Sequence, residues 1–131
     1  MPAGLEQLTL SGFSGAFGLL AGEGEPVAKG KARPLFHVVQ GLAAMAGLAS
    51  VQTKSSGEDR IAALAARSPD GRLVLWLANL TADEVLVRLP DLPCVSLAIL
   101  DTRSVQAAEG FRSVDPRREL RLGAYAVARI A

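Results

Sequence analysis

Two hydrophobic periods divide this chain, and no single repeating architecture accommodates both. Between residues 34 and 46, Leu35, Val38, Val39, Leu42, Met45 and Ala46 recur at spacings of three and four, the period of one face of an α-helix. From Ser50 onward the period changes to alternation, in short apolar runs broken by Pro, Gly, Asn and Asp, the pattern of strands that bury one face each. The chain therefore reads as a short helical unit followed by a larger β unit, with residues 1–48 and 49–131 as the two parts.

In the first part, Leu8-Thr9-Leu10 reads as a strand running into the glycine-rich stretch from Gly12 to Leu20. Residues 21–33 carry charges of both signs, three glycines and a proline without a hydrophobic period, which predicts an exposed loop. Pro34 stands at the first turn of the helix, where its missing N–H costs nothing, and Gly47 is the expected stop. His37, Gln40 and Ala44 lie opposite the apolar stripe, so the helix is expected to bury the stripe and expose that other face.

In the second part, Ile61 to Arg67, the turn Pro69-Asp70-Gly71 and Leu73 to Ala78 form a hairpin pattern. The alanine-rich first arm has helix propensity, but its short length before a Pro-Asp-Gly turn favours strand pairing. Val85 to Leu89, then Val95, Leu97 and Ile99, then Leu120 to Leu122 and Tyr125 to Ile130 supply further strands, with 101–116 read as loop. Six strands without a helix among them predict a mainly β fold, an antiparallel β-sandwich of about six to eight strands.

Composition narrows the function classes. With 131 residues, half of them hydrophobic, the chain has the apolar surface for one real core. Fourteen Lys and Arg balance thirteen Asp and Glu without clustering, which argues against nucleic acid or an anionic membrane as partner. Cys94 is the only cysteine and no apolar run approaches the roughly 20 residues of a membrane span, so a reducing cytoplasm is the expected setting.

Site motifs fail letter by letter. Gly22-Glu23-Gly24 has Val27 where a dinucleotide fingerprint needs its third glycine, and Gly30-Lys31 is followed by Ala32 rather than Ser or Thr. Gly12-Phe13-Ser14-Gly15-Ala16 resembles a nucleophile elbow with Ala16 in place of the last glycine, and any Ser14 or Cys94 nucleophile has only His37 as its base. One His and one Cys cannot furnish a zinc site. The adjacent carboxylates Glu58-Asp59 and Asp83-Glu84 read as solvated turns, Trp76 as core, and Asn79-Leu80-Thr81 as a turn opened by Asn. The expectation is no catalytic, cofactor-binding or metal-binding residue and no cofactor.

Three landmarks together carry a resemblance: Arg33-Pro34-Leu35-Phe36-His37-Val38-Val39-Gln40-Gly41-Leu42-Ala43, Asp70 to Thr81, and the ending from Leu120 to Ile130. They resemble the C-terminal part of glycoside-hydrolase-like enzymes, in particular the D-apionate lactonase family, which opens a sugar-derived lactone by hydrolysis. The resemblance implies that Leu8-Thr9-Leu10 is the last strand of a (β/α)8 barrel, 12–33 the loop over its C-terminal face and 34–47 its last helix, a strand-loop-helix remnant ahead of the sandwich. It implies a role in carbohydrate metabolism, with an upstream barrel as the partner of the helix face; a second copy of the chain on that face is the other expectation. The catalytic carboxylates of such barrels lie on earlier strands, so this chain alone is expected to be inactive. The alternative from another class is a free-standing sandwich that binds carbohydrate or a protein through an exposed Trp76 or Tyr125.

Overall fold

The computed structural model describes residues 12–16, 18–91, 96–106, 110–116 and 118–131. The strand expected at Leu8-Thr9-Leu10 and the residue Cys94 lie outside them. In chain order the elements are β1 (Gly12–Ser14), β2 (Gly18–Leu20), α1 (Pro34–Ala43), β3 (Ala49–Val51), β4 (Ile61–Arg67), β5 (Leu73–Asn79), β6 (Val85–Arg88), β7 (Leu97–Leu100), α2 (Thr102–Gln106), β8 (Arg112–Val114), β9 (Glu119–Leu122) and β10 (Val127–Ile130).

Six strands form one sheet in the order β3-β4-β5-β10-β7-β8, and β6 pairs with β9 in a second, two-stranded sheet. All pairings in both sheets are antiparallel. The alanine-rich β4 pairs with β5 along its whole length, from Ile61 opposite Asn79 to Arg67 opposite Leu73. Pairing wins over helix propensity there because Ile61 and Ala65 reach the core from one face of the strand.

The core lies between the two sheets. Ile61, Ala65, Leu75, Leu77, Leu97, Ile99, Ala128 and Ile130 from the large sheet meet Val85, Leu120 and Leu122 from the small one. Each fully buried Leu or Ile contributes about 1.5–3 kcal/mol. The outer face of the small sheet is charged and tied by cross-strand pairs, Arg88 to Glu119 at 3.0 Å and Arg121 to Glu84 at 2.9 Å.

The fold class read from the sequence is present, with local corrections. Strand β3 forms where no strand was expected, and the stretch read as a loop from 101 to 116 contains α2 and β8. Asp101 opens α2 as an N-cap: its Oδ1 accepts from the amides of Arg103 (3.0 Å) and Ser104 (3.2 Å). Tyr125, expected in the last strand, instead sits in a turn at φ 52. The glycine-rich stretch after residue 11 pairs β1 with β2 in parallel rather than remaining loop. Helix α1 begins at Pro34 as expected but ends at Ala43, and successive turns continue it to Gly47 at φ 80. Among the described residues no helix is long and apolar enough to cross a membrane.

Candidate functional site

The site is the contact between α1 and the outer face of the large sheet. On that face Leu64, Trp76, Arg129 and Ala98 stand side by side in register across β4, β5, β10 and β7. Trp76 is 4% exposed, yet it is buried away from the inter-sheet core. Its indole meets the ring of Phe111 edge-on, with centroids 5.5 Å apart, and the Arg129 guanidinium lies 5.3 Å from the Phe111 centroid.

Helix α1 closes this aromatic group from above. Gly41, the buried residue of the helix, lies so near Trp76 that a Cβ there would stand 2.5 Å from the indole Cη2 and Cζ2. One turn earlier on the same face, the His37 ring faces Gly110, where a Cβ would meet its Cε1 and Nε2 at 2.9 Å. The His37 ring also meets Phe36 edge-on.

At His37 this departs from the expected orientation of the helix. The face with His37 was expected to be exposed, but it carries the contact, while Leu35 and Leu42 of the apolar stripe remain 40% and 37% exposed. Gln40 and Ala44 are exposed as expected. The helix thus has one face on its own sandwich and a second, apolar face open.

The segment before the helix is braced, not merely solvated. Arg33 pairs with Glu25 and its Nη2 donates to the Gly15 carbonyl at 3.2 Å; the Gly22 amide donates to Glu25 Oε1 at 3.0 Å. Ala21 is buried and exchanges backbone hydrogen bonds with Lys31 and Gly30. Phe13 and Ser14 of β1 are both exposed.

The residues considered for chemistry do not assemble. No hydrogen bond joins Ser14 to His37 among the described residues, and the imidazole packs beneath the Gly110 loop. Glu84 serves Arg121, and Glu58 and Asp59 lie exposed in a turn. Among the described residues no three His, Cys, Asp or Glu side chains gather where they could hold a metal ion. Asn79 does more than open a turn. At 3% exposure its Nδ2 donates to the carbonyls of Asp83 (2.7 Å), Leu122 (3.1 Å) and Gly123 (2.8 Å), and its Oδ1 accepts from the amide and hydroxyl of Thr81, both at 2.9 Å. Its amide is consumed in joining the two sheets, which the tripeptide motif alone does not reveal.

Two of the described carboxylates are shifted to lower pKa. The Ser68 hydroxyl and the Arg72 guanidinium hold Asp70 at about 2. At Asp101 burial raises the pKa, but hydrogen bonds from Ser104, Arg112 and Arg103 outweigh it and leave it lowered. Both groups stabilise local turns.

Comparison with known proteins accounts for this two-part arrangement. Residues 58–130 match the family model of the D-apionate lactonase C-terminal immunoglobulin-like domain, and residues 1–47 match that of the D-apionate lactonase TIM barrel domain. A D-apionate lactonase of Brucella anthropi is 39% identical over 95 residues, which cover 72% of this chain and 15% of that protein. The chain thus spans about a seventh of the length of the relative it matches. It belongs to the D-apionate lactonase family and corresponds to the C-terminal part of its members, the immunoglobulin-like domain with a segment of TIM barrel ahead of it.

Proposed function

We propose that this chain is a non-catalytic, stabilising part of a sugar-lactone hydrolase, with residues 49–131 as a sandwich that packs against and holds the flank of a barrel to which residues 1–48 belong. The observation that carries this reading is the two-faced helix. Gly41 places one side of α1 on Trp76 of the sheet and His37 packs the same side against the Gly110 loop, and the exposed Leu35 and Leu42 on another side suit the barrel layer that a last (β/α)8 helix covers.

Lactone opening needs a group to activate water and donors for the oxyanion that develops at the carbonyl. The barrel supplies these from its other strands, and the braced loop of residues 12–33 borders its C-terminal face, where barrel active sites form. A purified preparation of this chain is expected to leave a sugar lactone unhydrolysed, while the complete lactonase opens it. Hydrolysis by this chain, abolished by a single substitution within it, sinks the proposal.

A second reading, a sandwich that binds carbohydrate or a protein partner, draws on Tyr125, which is 67% exposed in its turn. Burial of Trp76 removes the other aromatic that reading needs. Titration of Tyr125 fluorescence with a sugar acid, in a Trp76→Phe background, separates the two.

A further inference from the structure

Among the described residues the large sheet is opposed by only two strands. At about 4.8 Å per strand, β6 and β9 leave much of the six-stranded inner face without a facing strand. On the β3 and β4 side that gap is a groove of about 790 Å³ between β6 and the loop of residues 52–60. Val51, Ala63 and Leu73 form its half-buried floor, and Val87 and Leu89 its wall. Among the described residues no backbone hydrogen bond links β6 to any strand but β9, so its other edge is a template for a further strand. On the rim, Lys54 and Arg60 form no ion pair with a described residue, and Asp59 is the one acidic lining residue.

We infer that this groove takes a third strand of the small sheet, an extended segment with alternate apolar residues and an acidic flank, contributed by lactonase polypeptide ahead of the barrel. The inference rests on the proposal that this chain is part of a larger lactonase. Strand addition to a free edge supplies main-chain hydrogen bonds, the floor takes the alternate side chains, and Lys54 and Arg60 match an acidic flank. Chain of sufficient length exists in the relative: 95 residues are 15% of it, so it runs to about 630 residues, well beyond a barrel of about 250 and a sandwich.

The experiment places the photo-crosslinker p-benzoylphenylalanine at Leu86, an exposed residue of β6, in the complete lactonase. The expected product is an intramolecular cross-link to a segment ahead of the barrel, identified by mass spectrometry, with a yield several-fold lower when Lys54→Glu and Arg60→Glu are combined. A cross-link to a second copy, to the barrel, or only within residues 1–131 overturns the inference, as does no cross-link. Hydrogen exchange reads the same point without a substitution: the amides of Leu86 and Arg88, which alternate with the β9-bonded positions, are expected to exchange at least tenfold slower in the complete lactonase than in this chain, and equal rates overturn it. The same crosslinker at Leu42 tests the barrel contact separately. Capture of barrel residues there with none at Leu86 fails this inference alone, whereas no capture at Leu42 fails the packing proposal.

Discussion

Gly41 lies against the indole of Trp76 so closely that the helix backbone rests on the ring itself, with no side chain of the helix between them. The obstacle to any Cβ is a rigid ring held in turn by Phe111, so it cannot swing aside as the end of a flexible side chain would. Gly41→Val is therefore expected to destabilise the chain by about 1–3 kcal/mol, as overpacking does. Trp76 is the only tryptophan, which makes its fluorescence a direct report on the contact. The variant's emission is expected to shift to the red and become accessible to acrylamide; unchanged quenching refutes the role given to Gly41.

The second contact of the helix predicts a coupling. Gly110→Ala places a methyl group 2.9 Å from the His37 ring and is expected to destabilise, while His37→Ala removes the obstacle. The double variant should therefore be more stable than the sum of the single changes implies, a coupling of about 0.5–3 kcal/mol for residues in contact. Strict additivity in thermal melts argues that His37 and Gly110 do not meet.

What was legible in the sequence follows from which interactions leave a periodic trace. Strands β4, β5, β6 and β9 bury alternate or continuous apolar residues, so their existence was readable, and so was the sandwich. Strands β3 and β8 are three residues long, too short for alternation to register, and α2 depends on the Asp101 cap rather than on an apolar face. The helix face was misread for a related reason. Hydropathy favours the stripe through Leu35 and Leu42, whereas the residue that docks on Trp76 is a glycine, which enters the contact by what it lacks. The family resemblance was legible because its landmarks are contiguous, but the groove beside β6 was not, since it arises from the unequal width of two sheets.

Asn79 predicts a large effect from a small side chain. Its truncation to Ala leaves the carbonyls of Leu122 and Gly123 without their side-chain donor, and an unsatisfied buried group costs about 1–3 kcal/mol. Asn79→Ala is expected to lower stability by at least about 2 kcal/mol, and Thr81→Val, which removes a single hydroxyl donor to Asn79, by less. Urea unfolding with equal midpoints for Asn79→Ala and the parent chain refutes the assignment.

The acid limb of stability is expected to depend on Asp101. Its folded pKa lies below the ordinary carboxylate value, because bonds from Ser104, Arg112 and Arg103 outweigh the burial that raises it. A depressed folded pKa means that the unfolded chain takes up protons first as pH falls. The stabilisation is therefore complete above the unfolded value of about 3.9 and is lost as pH falls through the folded one. Asp70, held at about 2 by Ser68 and Arg72, has the same sign, but it is fully exposed and contributes little. Asp101→Asn retains an oxygen to cap α2 while removing the charge that pairs with Arg112 at 2.9 Å. The parent chain is expected to be more stable than this variant at pH 6, with the gap narrowing from about pH 4 downward. Urea denaturation of both proteins at a series of pH values reads the gap directly, and a constant difference across that range removes Asp101 from the account of acid unfolding.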